Sequence, residues 1–181
     1  MTQTIYIVRH CEATGQDPEA ELTEQGADQA NELVKFFEIY TVDRIISSPY
    51  IRAIQSIKPL SEALNVNVEV DNRLAERALS SNDLPDWKEK LEATFDDLDL
   101  KFEGGESNRE ALTRGREVIE EAFENDVDGT VLVSHGGIIS ILLSHYGEEF
   151  GFLGFESLTN PDVYALTFHN KEINIKRIWE E

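Results

Sequence analysis

Ile5-Tyr6-Ile7-Val8-Arg9-His10-Cys11, near the start of the 181-residue chain, and Val131-Leu132-Val133-Ser134-His135-Gly136-Gly137, near its end, repeat one local arrangement. In each, a short apolar run leads into a histidine. The runs alternate too weakly for a half-exposed strand, so both faces are expected to be covered, as in parallel sheets flanked by helices. Such a strand delivers its last residue to the sheet edge where open α/β folds place their ligands. Two histidines delivered in this way predict a fold and a site together.

The intervening sequence fits an alternation of strands and helices. Thr23 opens a helix through Ala27, Ala30, Leu33, Val34 and Phe37 at helical spacing. A short strand over 43–46 ends in Ser47-Ser48-Pro49, and a helix carrying Ile51, Ile54, Ile57 and Leu60 follows. Pro59 is expected to perturb or kink that helix. A third strand is expected over 67–70, a helix around 85–98 and a longer helix capped by Ser107 or Asn108. A fourth strand over 129–133 precedes a helix over 137–145. The chain closes on an antiparallel hairpin around Asn170-Lys171. This pattern predicts one domain over 1–181, an α/β/α three-layer sandwich with a mainly parallel sheet. Residues 71–106 read as a small helical insertion capping the site.

Composition narrows the function. The formal charge is −20, which argues against a general nucleic-acid partner, since affinity there comes from neutralising phosphates. A single cysteine excludes a disulfide scaffold. No apolar stretch approaches the roughly 20 residues of a membrane span, and the N-terminus lacks the features of a signal peptide. A cytoplasmic protein with no membrane partner is expected; oligomeric state is unreadable. Neither a Walker A nor a G-x-G-x-x-G motif is present, and His10, His135, His145 and His169 lack the i, i+4 spacing of a metal pair. No cofactor or metal is therefore expected. A cysteine phosphatase would need an arginine six positions after Cys11, where Asp17 stands.

Histidine itself remains as nucleophile. With an unperturbed pKa of ~6.5 an imidazole is largely neutral at pH 7 and keeps a lone pair for in-line attack on phosphorus. The transferred group spreads negative charge over its oxygens, and planar guanidinium forks suit it. Arg9 is adjacent to His10, Arg52 follows the next strand, and His135 supplies a second imidazole.

Several motifs, in order, make the chain resemble the histidine phosphatase superfamily, also called the phosphoglycerate mutase-like family. They are Arg9-His10-Cys11-Glu12, Leu22-Thr23-Glu24-Gln25-Gly26 through Gln29-Ala30, Ser47-Ser48-Pro49 through Arg52-Ala53-Ile54-Gln55-Ser56, Leu74-Ala75-Glu76, Gly104-Gly105-Glu106-Ser107 and Ser134-His135-Gly136-Gly137. The resemblance implies that His10 is the nucleophile and that Arg9, Arg52 and His135 complete the phosphate pocket. It further implies that Glu76 donates a proton to the leaving group, with a solvated surface role as the alternative in so acidic a chain. Two positions depart from the family pattern. Cys11 replaces a glycine and is tolerable only at negative φ, and Ala13 replaces a hydroxyl residue that Thr14 or Gly15 would have to substitute. Trp87 and Phe102 either shape the substrate mouth or hold the insertion down, while His145 and His169 read as structural or exposed. The expected activity is a metal-independent phosphomonoesterase acting through phosphohistidine on a small phosphorylated metabolite. Mutase-type phosphoryl transfer and a catalytically weak phospho-ligand module are the alternatives.

Overall fold

The computed structural model describes residues 2–147 and 150–180. In chain order they form β1 (Gln3–Arg9), α1 (Glu24–Phe36), β2 (Arg44–Ser47), α2 (Ile51–Leu64), β3 (Val68–Val70), α3 (Trp87–Asp96) and α4 (Asn108–Glu124). Then come β4 (Gly129–Ser134), α5 (Gly136–Tyr146), α6 (Gly151–Ser157), β5 (Asp162–His169) and β6 (Glu172–Arg177). One sheet holds the strands in the order β3-β2-β4-β1-β5-β6. β3, β2, β4 and β1 pair in parallel, and β5 runs antiparallel to both β1 and β6. The sheet is therefore mainly parallel, as expected.

The continuous apolar runs sort by parity onto two cores. Tyr6, Val8, Ile45, Val131 and Val133 face Ala30 and Leu33 of α1 and Ala53, Ile57 and Leu60 of α2. Ile5, Ile7, Ile46 and Leu132 face Val118 and Ile119 of α4 and Ile138 and Leu142 of α5. Alternation is absent from β1 and β4 because neither face meets water. The third layer completes the predicted sandwich.

Local chemistry places the helix starts. Thr23 caps α1, accepting from the Gly26 N–H at 3.0 Å, and Ser107 caps α4, accepting from Glu110 at 3.1 Å. α2 closes on Asn65 in the left-handed region, φ 54°. α2 runs unbroken through Pro59, although the proline cannot donate to the Gln55 carbonyl. Its neighbours Ile57 and Leu60 are buried against the sheet at 0% and 1% exposure, so packing overrides the local cost. The seven-residue α6, sequence Gly-Phe-Leu-Gly-Phe-Glu-Ser, was not expected, because so short and glycine-containing a segment shows no helical period. The insertion after β3 holds one regular helix, α3, which begins at Trp87 and packs on α6.

Pro59→Ala restores a donor inside a helix that already exists, where proline is about 3 kcal/mol worse than alanine. We expect it to raise stability by about 1–3 kcal/mol, read as a higher urea midpoint at unchanged m-value. A lower midpoint would show that the ring's packing outweighs the missing hydrogen bond.

Candidate active site

β1 and β4 are adjacent and parallel, and their following helices leave on opposite faces, α1 with the first core and α5 with the second. Their C-terminal ends therefore border a crevice at a switch point of the sheet. His10 lies just beyond β1, its backbone N–H donating to the Ser134 carbonyl across the strand pair. His135 lies just beyond β4, and the two imidazole centroids are 5.1 Å apart. The strand pairing thus brings together two histidines that are 125 positions apart in sequence.

The His10 ring is held in one orientation. Its Nδ1 is 2.7 Å from the Cys11 carbonyl, an acceptor, so this nitrogen carries the proton. Nε2 is then the lone-pair nitrogen, and it accepts from Arg52 Nε at 3.2 Å. Arg52 projects from the first turn of α2 and is itself only 1% exposed. Its Nη1 donates to the carbonyls of Gln16 and Asp17 at 3.1 and 2.8 Å, tying the loop after β1 to the site. Its Cζ sits 5.0 Å from the Tyr50 ring centroid.

His135 is fully buried, and its Nε2 is 2.7 Å from Ser48 Oγ. That hydroxyl also accepts from the Tyr50 N–H and keeps its own proton to give to Nε2 when this nitrogen holds the lone pair. In that tautomer the His135 proton is on Nδ1, which is buried without a partner. Arg9 presents a second unpartnered buried donor, Nε, while its Nη1 donates to Leu158 at 3.1 Å and Thr159 at 3.5 Å. A Cβ on Gly136 would stand 3.1 Å from the Arg9 guanidinium, so this glycine makes room for it. Two orphaned buried donors beside a lone-pair nitrogen form a place for a multivalent anion acceptor.

Glu76 is positioned from behind. Its carboxylate accepts from the N–H groups of Arg77, Gly137 and Ile138, at 2.7, 3.0 and 2.9 Å, and so occupies the N-terminus of α5. Any side chain at Gly137 would collide with it, since a Cβ would lie 2.6 Å from Oε1. Ser134 Oγ donates to the Leu74 carbonyl, and Arg114 donates to those of Arg73 and Ala75 while pairing with Glu106 at 2.5 Å. Arg114 thus ties the backbone of the Leu-x-Glu segment to the glutamate of the Gly-Gly-Glu-Ser segment. The buried Arg77 guanidinium joins this segment to Thr94 of α3, Asn108 of α4 and the Glu106 carbonyl. Arg77, Arg114, Ser48 and Ser56 escaped the sequence reading. Only the two serines lay inside quoted motifs that could have flagged them.

The departures have physical answers. Cys11 is fully buried in the first core, and burial pushes its thiol up to about 12, so it is no nucleophile at neutral pH. Its φ is not among the positive values of the described residues. Its N–H donates to Ser56 Oγ at 2.8 Å. The Thr14 N–H is committed to the Glu21 carbonyl, 2.9 Å away, in the bridge that closes the loop. Glu12 N–H donates to Gln29, and a Cβ on Gly26 would fall 2.0 Å from the Glu12 carbonyl oxygen. The Thr-x-x-Gly-x-x-Gln spacing therefore docks α1 against the loop that follows the nucleophile candidate. Trp87 is 44% exposed on α3 and Phe102 packs beneath Lys90. Among the described residues no group of three or more His, Cys, Asp or Glu side chains could hold a metal ion, and no helix is long and apolar enough to cross a membrane.

Residues 5–181 match the model of the histidine phosphatase superfamily (branch 1), and the chain belongs to that family. It is 26% identical over 155 residues, 77% of this chain and 76% of the other, to a Hydrogenobacter thermophilus protein named as a candidate phosphoserine phosphatase 2. Its fold is similar to that of a mycobacterial glucosyl-3-phosphoglycerate phosphatase, with TM-score 0.76 and 23% identity over 98% of this chain and 97% of that one. It is also similar to that of an Entamoeba histolytica phosphoserine phosphatase, with TM-score 0.77 and 19% identity over 96% and 94% of the two chains.

Burial, reinforced by the neighbouring arginines, pushes His10 down to about 4 and His135 to about 2. Both imidazoles are neutral in the folded protein at pH 7. The unfolded chain protonates them near ~6.5, so between that pH and about 4 it binds protons that the folded state refuses. Stability contributed by these groups is present above that window and lost as pH falls through it. The slope is up to about 1.4 kcal/mol per pH unit for each imidazole. Denaturation of the ligand-free protein from pH 7 to 4.5 is expected to show a shallower decline in His135→Asn than in wild type. Parallel curves would mean that His135 is already charged in the folded state.

Proposed function

We propose that the protein is a phosphomonoesterase that passes phosphate through His10 to water. The observation that carries this reading is the orientation of His10. With Nδ1–H on the Cys11 carbonyl, the Nε2 lone pair accepts from Arg52, the His135 ring is 5.1 Å away between centroids, and His135 Nδ1 and Arg9 Nε are buried without partners. A phosphate there would satisfy those donors and meet the nucleophile at the same time.

In the first step Nε2 forms a bond to phosphorus, the ester P–O bond breaks, and Glu76 supplies a proton to the departing oxygen. In the second step water attacks phosphorus, Glu76 takes back a proton, and the N–P bond breaks. Arg9, Arg52 and His135 hold the charge that gathers on the equatorial oxygens. The bond from Nδ1 to a fixed carbonyl stabilises the proton that His10 must keep while Nε2 carries the phosphoryl group. The related proteins whose names specify phosphoserine or glucosyl-3-phosphoglycerate support hydrolysis of small phosphorylated metabolites as the reaction class. The open loop at 14–19 and the single-helix insertion favour water over a second acceptor alcohol, and with it phosphatase over mutase. A net charge of −20 supports neither nucleic acid nor an anionic membrane as partner.

Incubation with a phosphomonoester followed by rapid quench is expected to trap one acid-labile, base-stable phosphoryl group, absent from His10→Ala. Arg52→Ala is expected to lose roughly 10²- to 10³-fold in kcat/KM, as for removal of an oxyanion donor. Labelling retained in His10→Ala would overturn the assignment of the nucleophile.

A further inference from the structure

We propose that β6 is a self-association edge: it pairs antiparallel with β6 of a second copy of this chain, in the register that sets Glu172 opposite Lys176 and Asn174 opposite itself. The pairing stands apart from the phosphatase reading above and concerns the far edge of the same sheet.

β6 ends the sheet, with β5 on one side and no strand among the described residues on the other. The hairpin turn shows which backbone groups this leaves open. Asn170 and Lys171 both have positive φ, 51° and 67°, as a two-residue type I′ turn requires. In such a turn the His169 carbonyl accepts from the Glu172 N–H. The His169–Glu172 pair is therefore hydrogen-bonded, and bonding alternates along the antiparallel ladder from there. The Ile178 N–H, which donates to the Val163 carbonyl at 3.0 Å, keeps the same parity. Glu172, Asn174 and Lys176 thus direct their backbone groups to β5, while Ile173, Ile175 and Arg177 direct theirs outward. An open row of this kind is a template for another strand.

The side chains choose the partner and the register. A two-fold axis normal to the sheet keeps each face continuous across the new strand pair. Centred on Asn174, it sets Glu172 against Lys176 twice on one face and Ile173 against Ile175 twice on the other. Glu172 and Lys176 are exposed in the single chain, and the half-buried isoleucines, already packed on the core beneath α4 and α5, cover each other. Moving the centre to Ile173 or Ile175 puts Asn174 opposite Glu172 or Lys176 and loses both acid–base pairs. Arg177 stands across from Lys171 at the end of the ladder, where Asp162 already pairs with its guanidinium at 2.9 Å. Charge favours this edge as well. In a chain of 36 acidic and 16 basic residues, 170–177 carries Lys171, Lys176 and Arg177 against Glu172, so repulsion between two copies is relieved here. The opposite edge is unsuited. The antiparallel self-pairing that engages all of β3 sets Glu69 against Glu69, and Glu69 is already paired with Arg44 at 2.7 Å.

Sedimentation velocity on the wild-type chain at about 100 μM is expected to give twice the monomer mass. Glu172→Lys and Lys176→Glu are each expected to raise the dimer dissociation constant roughly tenfold, because each turns two attractive cross-strand pairs into repulsive ones. The double variant is expected to recover wild-type association, and circular dichroism checks that these exposed substitutions leave the fold intact. Asn174→Cys tests the axis. Residues opposite each other at a non-hydrogen-bonded position have Cα atoms about 4.5 Å apart, within reach of a disulfide. Oxidised Asn174→Cys is expected to run as a covalent dimer on a non-reducing gel, while wild type, whose one thiol at Cys11 is buried, runs as a monomer. A monomeric mass for the wild-type chain, or a dimer indifferent to the two charge reversals, would overturn the proposal. So would a double variant that stays dissociated or an Asn174→Cys chain that does not crosslink, and none of these results bears on the chemistry at His10.

Discussion

A guanidinium buried to 1% exposure is an expensive thing to build into a protein interior, and Arg52 is the element around which this site is organised. One side of it donates to the His10 lone-pair nitrogen, another to two loop carbonyls, and its face rests on Tyr50. None of those partners is a carboxylate. The nearest anions act through space, chiefly Glu76 and, more weakly, Asp17, while burial works against the charge. A cation left in that condition gains more from an incoming phosphate than a surface arginine would, because the surrounding protein screens the interaction poorly. Its cost in the free protein and its affinity for ligand are two sides of the same burial.

Much of this was legible from residue pattern. The apolar runs of β1 and β4, the Thr23 cap and the Ser107 cap follow from rules that act within a few residues, and those elements appear where expected. Arg9, His10, Arg52 and His135 were found through motifs, and the structure brings His10 within hydrogen-bond distance of Arg52 and its ring close to that of His135. What stayed hidden depends on tertiary contact. The packing of Ile57 and Leu60, which accompanies the passage of α2 through Pro59, is not visible from the proline. α6 is too short to have a period. Arg114 acts on residues about 40 positions away, through backbone carbonyls that no side-chain motif encodes. Glu76 could be named as a candidate acid from sequence, but not its seat on the first N–H groups of α5.

The cysteine beside His10, the proposed nucleophile, shows how far a motif position can drift. A glycine is required where a Cβ would collide, as at Gly26 and Gly137, whose hypothetical methyls would fall 2.0 and 2.6 Å from oxygens of the site. Position 11 imposes no such limit. Its side chain leaves the pocket for the core between β1, α1 and α2, and the site uses its backbone: the carbonyl for His10 and the N–H for Ser56. A residue that contributes only main chain to chemistry can carry any side chain that the core accepts, and a small apolar thiol fits there.

The acidity of the chain also bears on turnover. A surface of net charge −20 slows the approach of any dianion, so steering cannot be what concentrates substrate in the pocket. Attraction by the two arginines is felt only within about one Debye length, ~8 Å. The same field acts on the product, since inorganic phosphate is an anion too. In an enzyme of this design, repulsion that costs on the way in assists release on the way out.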